Sequence, residues 1–231
     1  MVQVSPCRHS EFHRFSSGQN ADGAAVAQRG FTLVELLVVV SVVMIIAAFT
    51  IEAVQRASRS MRLQQAAVSY SNLLQQARIR AVRDDRYRTV LPTPANGTTA
   101  PTAFIDLAGT GQYVAGDPVM SFPTGVTPMP FAAGPNLAGL EAQFLPPGPG
   151  SLQTVNTTAQ GPTFGTRGLP CTPTAAGPNS SCPYLSAAGL PTAYIAFLQN
   201  TQSGNWMAVT VTPAGRIRQW SYASGTWSPL N

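Results

Sequence analysis

A single carboxylate, Glu35, stands inside an otherwise uncharged apolar run that extends from Phe31 to Ile51. The run contains neither glycine nor proline, and it reaches the length of about 20 residues that a helix needs to cross a bilayer. An ionised carboxylate in lipid costs a few kcal/mol unless it has a partner, which makes Glu35 a candidate for a functional ion pair. The alternative is a tolerated charge near the water-exposed end of the span.

The residues that usually carry catalysis are scarce. The 14 basic residues are all arginines, and both histidines, His9 and His13, precede residue 30. If that N-terminal stretch is removed, general acid–base catalysis, Schiff-base chemistry and histidine-ligated metal sites lose their usual residues. We therefore predict a protein that assembles or binds. No catalytic residue, metal site, cofactor or small-molecule substrate is expected.

Two arginines near the C terminus are the sharpest candidate for a binding site. Arg216 and Arg218 follow a turn that contains proline and glycine, and on a strand they share one face with Trp220 and Tyr222. Two guanidinium groups followed by two aromatic rings suit phosphates and stacked bases. No acidic residue follows Glu141 to neutralise them. The alternative is a pair of exposed strand residues on a structural sheet whose two aromatic rings face the core.

A pair of cysteines indicates an exported protein. Cys7 lies in the N-terminal stretch, which leaves Cys171 and Cys182 in a loop rich in proline, glycine, asparagine and serine. In an oxidising compartment these two would form a disulfide, worth roughly 3 kcal/mol in the loop-entropy description. The alternative is a metal or redox pair, which no nearby histidine or second Cys-x-x-Cys motif supports.

One long helix must position the N-terminal residues. No glycine or proline occurs from Phe31 to Arg88, and after Glu52 apolar residues recur at three- and four-residue steps. We predict a helix over about 31–84 whose second half lies on a globular domain. The residues of its predicted inner face are Leu63, Ala66, Ala67, Tyr70, Leu73, Leu74, Ala77 and Ala81.

The second half of this helix is rich in arginine. Between Ala53 and Arg88 eight arginines stand against Asp84 and Asp85, a net charge of +6. This charge suits anionic lipid headgroups, acidic subunits or nucleic acid. The alternative is a solvated face with arginines that reach toward the membrane surface. Arginines flank the apolar run on both sides, so charge counting leaves its orientation open.

The rest of the chain predicts short strands. Residues 92–190 contain 16 prolines and 14 glycines, a composition typical of long loops. The β-like runs within them are Ala103–Leu107, Tyr113–Ala115, Val119–Phe122, Leu140–Leu145 and Gln153–Thr157. Short turns then separate the three runs of an antiparallel meander, Ala193–Leu198, Trp206–Val211 and Arg216–Tyr222. Met207, Val209 and Val211 alternate along it, and we expect that face to contact the helix.

The junction before the apolar run reads Arg29-Gly30-Phe31-Thr32-Leu33-Val34-Glu35-Leu36. Its basic residue, glycine, phenylalanine and glutamate stand at a spacing that resembles the class III leader junction of type IV pilins and type II secretion pseudopilins. The resemblance implies that a prepilin peptidase cuts after Gly30 and methylates the new N terminus at Phe31. It also implies that Glu35 pairs with the N terminus of an adjacent subunit during filament assembly.

The C-terminal end resembles the GspH/FimT family of type IV pilin-like proteins, whose last sheet often carries a Gly-Arg pattern after a turn with proline. A Gly-Arg-x-Arg motif is implicated in DNA binding by FimT-type minor pilins, and Gly215-Arg216-Ile217-Arg218 fits it. The implied fold is α+β and pilin-like, with one long N-terminal helix packed on a C-terminal antiparallel sheet with long Pro/Gly-rich loops. The implied domains are a leader (1–30), a transmembrane and filament-core half-helix (31–52) and a globular domain (53–231).

Two functions follow from these resemblances. The first is a minor pseudopilin, a structural subunit of a type II secretion filament that takes part in protein secretion across the outer membrane. The second is a FimT-like minor pilin that binds DNA during natural transformation. Both imply an inner-membrane protein with one span and a periplasmic C-terminal domain, and both imply prepilin peptidase and other pilin or pseudopilin subunits as partners. Only the second adds DNA.

Overall fold

The computed structural model describes residues 31–92, 101–130, 133–137, 140, 151–154, 161–175, 177, 180–186 and 189–230. The described residues divide into two units, with the boundary between Ile46 and Ala47. The layout is α+β, with one long N-terminal helix followed by largely antiparallel sheets. It agrees with the predicted pilin-like fold.

Helix α1 spans Leu33–Arg83, which confirms the helix predicted over about 31–84. Thr32 caps its start, because the Thr32 hydroxyl accepts the amide N–H of Glu35 at 3.2 Å. The helix ends where Asp85 adopts a left-handed backbone conformation (φ 49°) and the N–H of Arg86 bonds the carbonyl of Ala81 at 3.2 Å.

The strands form two sheets. They are β1 (Arg88–Leu91), β2 (Thr102–Asp106), β3 (Val119–Ser121), β4 (Val126–Met129), β5 (Ser151–Thr154), β6 (Thr163–Phe164), β7 (Thr192–Asn200), β8 (Trp206–Val211), β9 (Ile217–Ala223) and β10 (Thr226–Leu230). One sheet has the order β3-β2-β1-β6, and the other has the order β10-β9-β8-β7-β4. Strand β5 also pairs with β7, in parallel, which is a departure from the single antiparallel sheet that we predicted.

Of the strands predicted in the middle region, one is wrong and two lie partly outside the described residues. The strand predicted at Tyr113–Ala115 is wrong, because the Asp117 carboxylate accepts the N–H groups of Val114 and Leu107 at 2.9 and 3.2 Å and thereby holds a loop. The run Leu140–Leu145 lies outside the described residues except for its first position. Of the run predicted at 153–157, residues 155–157 lie outside them, and the first two belong to β5.

The main core lies between α1 and the two sheets. All eight residues predicted for the inner face of the helix are buried, and they join Met207, Val209 and Val211 in one hydrophobic cluster. Residues of the smaller sheet, such as Val90 and Ile105, complete it. The predicted contact between the helix and this face of the meander is therefore confirmed.

A second hydrophobic cluster covers the opposite face of the larger sheet. It contains Leu137, Leu140, Ala193, Ile195, Phe197, Ala208, Trp220 and Trp227. The indole N–H of Trp227 donates to the carbonyl of Asn136 at 3.1 Å, which fastens the covering segment to the sheet. Because both faces are covered, β7 is buried along nearly its whole length.

The end of α1 is joined to β1 by a buried cation. Arg88 is 7% exposed, and its guanidinium donates to the carbonyl of Leu107 at 2.6 Å and to the carboxylate of Asp84 at 2.9 Å. This placement corrects the expectation that the arginines of this stretch all face solvent or a partner. Arg88 serves the junction between helix and sheet, since a buried guanidinium requires such partners.

Acidification is expected to weaken this junction. The hydrogen bonds from Arg83 and Arg88 hold the pKa of Asp84 below its ordinary value. A carboxylate of this kind stabilises the fold above its unfolded pKa of about 4, and the contribution is lost as the pH falls through the folded pKa. Urea-unfolding midpoints measured across that range should fall less in Asp84→Asn than in the wild type. The exposed neighbour gives the control Asp85→Asn, and equal falls in the wild type and Asp84→Asn would contradict the prediction.

Candidate functional site

The residues predicted for processing and assembly lie at or just before the start of α1, apart from Gly30, which is outside the described residues. Phe31 is 78% exposed. Thr32 and Glu35 have the spacing of a capping box, in which a carboxylate stands in the first turn near the positive end of the helix dipole. Within the described part of the chain, the Glu35 carboxylate makes no hydrogen bond or ion pair. It is therefore available to a cation from outside the chain or from a newly formed N terminus.

The apolar side chains that follow Glu35 are exposed. From Leu36 to Val54 the large hydrophobic residues of α1 expose between 43% and 77% of their surface. The helix contains a window that is long and apolar enough to cross a membrane, judged by length and composition. Exposed apolar surface on this scale is typical of contact with lipid or with other protein chains.

The second predicted site begins in a tight turn between β8 and β9. The N–H of Thr212 donates to the carbonyl of Arg216 at 2.9 Å, and the N–H of Gly215 donates back to the carbonyl of Thr212 at 2.7 Å. The Thr212 hydroxyl also accepts the N–H of Arg216 at 3.1 Å. Gly215 has a φ of 77°, a conformation that glycine adopts without strain. The strand predicted from Arg216 therefore starts one residue later.

Arg78 of α1 fastens this turn to the helix. Its Nη1 donates to the carbonyl of Gly215 at 3.0 Å, across 137 positions of sequence. A second loop meets the turn at the same place, since a Cβ added to Gly215 would lie 2.8 Å from the carbonyl oxygen of Gly168. Neither contact could be predicted from local sequence patterns. The sequence feature that marks the second loop is Arg167, the single basic residue between positions 92 and 190.

Only half of the predicted binding face is accessible. Arg216 is exposed and Arg218 is half-buried, and neither guanidinium forms an ion pair or a hydrogen bond within the described residues. Trp220 is fully buried and donates its indole N–H to the hydroxyl of Thr210 at 2.9 Å. Tyr222 is half-buried against Trp227, with ring centroids 4.9 Å apart. The interpretation of Trp220 as a stacking platform is therefore wrong, while the arginines remain available to anions.

The two cysteines form a disulfide that staples the loop between β6 and β7. Cys171 and Cys182 are bonded to each other. The Tyr194 hydroxyl donates to the carbonyl of Cys171 at 2.6 Å, and burial raises the pKa of Tyr194 to about 12, so this donor stays protonated. Tyr87 holds the other part of the loop through its hydroxyl, which contacts the Gly177 carbonyl. Among the described residues, no group of three or more His, Cys, Asp or Glu could hold a metal ion.

A cleft of about 320 Å³ lies beside this loop and contains one carboxylate, Asp106. Both oxygens of Asp106 are already bonded, because they accept the N–H groups of Gly109 and Gly111 at 2.6 and 2.7 Å. The carboxylate is 5% exposed and shapes the loop after β2. Its bonding is that of a structural residue.

Gly215→Ala should destabilise the protein more than the same change at a glycine with free space. The left-handed conformation costs an alanine about 1 kcal/mol or more at either site. At Gly215 the added Cβ would also press on the carbonyl oxygen of Gly168, whereas Gly204 (φ 71°) has nothing within 4 Å. Unfolding free energies from urea titration in a non-ionic detergent should therefore fall further for Gly215→Ala than for Gly204→Ala. Equal losses would show that the contact between the two loops carries no weight.

Residues 26–51 match the family model of the prokaryotic N-terminal methylation motif. No curated protein and no solved structure matches the chain. The matched segment contains the junction at Gly30, the carboxylate of Glu35 and the apolar run. This pilin-type signal and the long apolar helix indicate a membrane-anchored structural subunit that prepilin peptidase processes and that assembles with other pilins.

Proposed function

We propose that the protein is a minor pseudopilin, a structural subunit of a type II secretion filament that takes part in protein secretion across the outer membrane. The observation that carries the proposal is the methylation motif over residues 26–51. The motif includes the exposed apolar part of α1, in which the Glu35 carboxylate forms no ion pair within the described residues. The disulfide between Cys171 and Cys182 supports an oxidising compartment such as the periplasm.

In this proposal the start of α1 acts in two steps. Cleavage after Gly30 removes residues 1–30 and creates an α-amino group on Phe31, about one helical turn from Glu35. The apolar half of α1 anchors the subunit in the inner membrane before assembly and packs in the filament core afterwards. The ion pair between Glu35 and the N terminus of an adjacent subunit satisfies both charges in that apolar core.

Processing gives a direct test of the first step. In a host with an active prepilin peptidase, intact-mass analysis should find a chain that begins at Phe31 and carries one methyl group on its N terminus. A host without the peptidase is the control and should yield the chain with residues 1–30 attached. A leader that remains attached in the presence of the active enzyme would contradict the proposed processing.

A second candidate function is DNA capture by a FimT-like minor pilin. The observation that favours it is the exposed Arg216, which has no ion-pair partner among the described residues and emerges from a turn tied to α1 by Arg78. Two phosphate contacts, from Arg216 and Arg218, would give a salt slope of only about −2, so each subunit would bind weakly.

Deletion and complementation separate the two functions. A strain that lacks the gene should lose secreted proteins from its culture medium, and both the wild type and an Arg216→Gln/Arg218→Gln variant should restore them. The second candidate instead expects loss of natural transformation, which the wild type restores and the double variant does not. Neighbouring genes give an independent indication, since secretion ATPase and secretin genes with sibling pseudopilins favour the first function.

A further inference from the structure

We propose that Arg167 belongs to the same anion site as Arg216 and Arg218, and that Arg78 is the positioning residue that holds the site together. The expected ligand is the phosphate backbone of a nucleic acid. The inference rests on DNA capture, the second candidate function, and extends its site from the last strands to a second loop. We define this two-loop site by the contact between residues 165–169 and the turn between β8 and β9.

The two loops are in close backbone contact. Gly168 and Gly215 both have left-handed backbones, with φ of 70° and 77°, and the carbonyl oxygen of Gly168 lies 2.8 Å from where a Cβ of Gly215 would be. Such an approach of two backbones is possible only without a side chain at that position. Arg167 precedes Gly168 and Arg216 follows Gly215, so the contact brings together the two backbone segments that carry these arginines.

Arg78 lies close to both loops. A Cβ on Gly168 would lie 3.3 Å from Nε of Arg78, and a Cβ on Gly215 would lie 3.3 Å from its Cζ. The same guanidinium donates to the Gly215 carbonyl at 3.0 Å. One side chain of the helix therefore supports both loops. Its charge is retained beside them, because a carbonyl oxygen does not neutralise a guanidinium.

Arg167 is held by Tyr184 and is nevertheless exposed. Its backbone N–H donates to the Tyr184 hydroxyl at 3.2 Å, and its guanidinium carbon lies 5.7 Å from the centre of the Tyr184 ring. Tyr184 itself follows Cys182, the second cysteine of the disulfide. A cation over an aromatic ring keeps its full charge, so Arg167 remains able to bind an anion.

The arginines of the site have no acidic partners in the part of the chain that the structure describes. Within the described residues, none of Arg78, Arg167, Arg216 and Arg218 forms an ion pair. Asp84 is engaged by Arg83 and Arg88. Asp85 lines a cleft with Gly165 and Arg86, and it forms no ion pair with any of these four arginines. Several guanidinium groups on separate backbone segments suit a chain of phosphates better than one isolated anion, because each can bind a different phosphate.

The test measures binding of a random-sequence DNA duplex to the full processed chain in a non-ionic detergent, over a series of salt concentrations. Arg167→Gln should weaken binding and reduce the slope of log affinity against log salt by about 1. Arg62→Gln is the matched control, since it removes an exposed arginine of α1 that forms no ion pair within the described residues, and it should change neither quantity. Unfolding free energies of all variants report whether the fold is intact.

The role of Arg78 requires a second comparison. Arg78→Gln should weaken DNA binding because the turn that carries Arg216 loses its support, and Arg78→Lys should restore part of the affinity because lysine can still donate to the Gly215 carbonyl. Equal affinity of Arg78→Gln and the wild type would overturn the positioning role.

The outcomes distinguish this inference from the function on which it rests. If the wild type binds no DNA, the second candidate function fails and the inference fails with it. If the wild type binds and Arg216→Gln/Arg218→Gln does not, while Arg167→Gln keeps the full affinity and salt slope, only the inference is overturned. A loss in Arg62→Gln as large as that in Arg167→Gln would also overturn it, since binding would then reflect diffuse charge.

Discussion

Replacement of Glu35 by alanine should leave cleavage after Gly30 intact and nearly abolish incorporation of the protein into filaments. In the proposed assembly the carboxylate pairs with an N-terminal amino group inside an apolar core. Removal of one partner from a buried ion pair costs about 3–5 kcal/mol. Because about 1.4 kcal/mol corresponds to a factor of ten, incorporation should fall by roughly a hundredfold or more. Immunoblots of sheared filament fractions measure this loss, and intact mass measures processing.

The same helix offers a matched control for this prediction. Glu52 is also an exposed carboxylate of α1, with a side chain 75% exposed and an ion pair to Arg56 at 3.3 Å. Exposed pairs of this type contribute little, so Glu52→Ala should assemble as the wild type does. Glu35→Gln keeps the shape of the side chain without its charge and should fail like Glu35→Ala. Normal incorporation of Glu35→Ala would contradict the ion pair.

The helix and its inner face were predictable because their signal is local. Residues such as Leu63, Tyr70 and Leu74 recur at helical spacing, and a face with that pattern must be buried against something. The alternation of Met207 and Val209 is local in the same way, since successive side chains of a strand point to opposite faces. These patterns predict which face is buried without any knowledge of what covers it.

The edge strands of the larger sheet were not predictable from local patterns. Strand β4 contains Pro128 and β10 contains Pro229, and proline argues against a strand when the sequence is considered alone. Both strands lie at the ends of the larger sheet, where a missing N–H leaves no neighbour unpaired. Only the order of the strands explains why proline is tolerated there, and that order depends on pairing between distant segments.

Only part of the candidate binding site was predictable, because some of its contacts join segments that are distant in sequence. Arg216 and Arg218 stand out as cations in a segment without acids, whereas Arg78 reaches Gly215 from 137 positions away, a contact with no local pattern. The sequence left two positions open for the aromatic rings that follow the arginines, either exposed beside them or facing the core. The cover of the outer face by Leu137 and Leu140, in the Pro/Gly-rich middle region, leaves Trp220 in a core.

Trp220→Ala should therefore lower the free energy of unfolding by about 3–5 kcal/mol, the usual cost of removing a large buried aromatic side chain. Trp220 is the largest fully buried side chain among the described residues, and it pairs across the strands with Ala208 in the cluster that also contains Leu137 and Leu140. Its loss opens a cavity in the second cluster and removes the indole N–H that donates to the hydroxyl of Thr210. Urea unfolding of the full chain in a non-ionic detergent, followed by far-UV circular dichroism, measures the effect.

Trp220→Phe separates packing from hydrogen bonding and tests the stacking interpretation at the same time. Phenylalanine retains most of the apolar contact but leaves the Thr210 hydroxyl without its donor, so the loss should be about 1–3 kcal/mol. A ring that stacked on bases would behave differently, because its replacement by alanine would reduce DNA binding and leave stability unchanged. Stability of Trp220→Ala equal to that of the wild type would contradict the buried position, since no covered sheet face could lose an indole without cost.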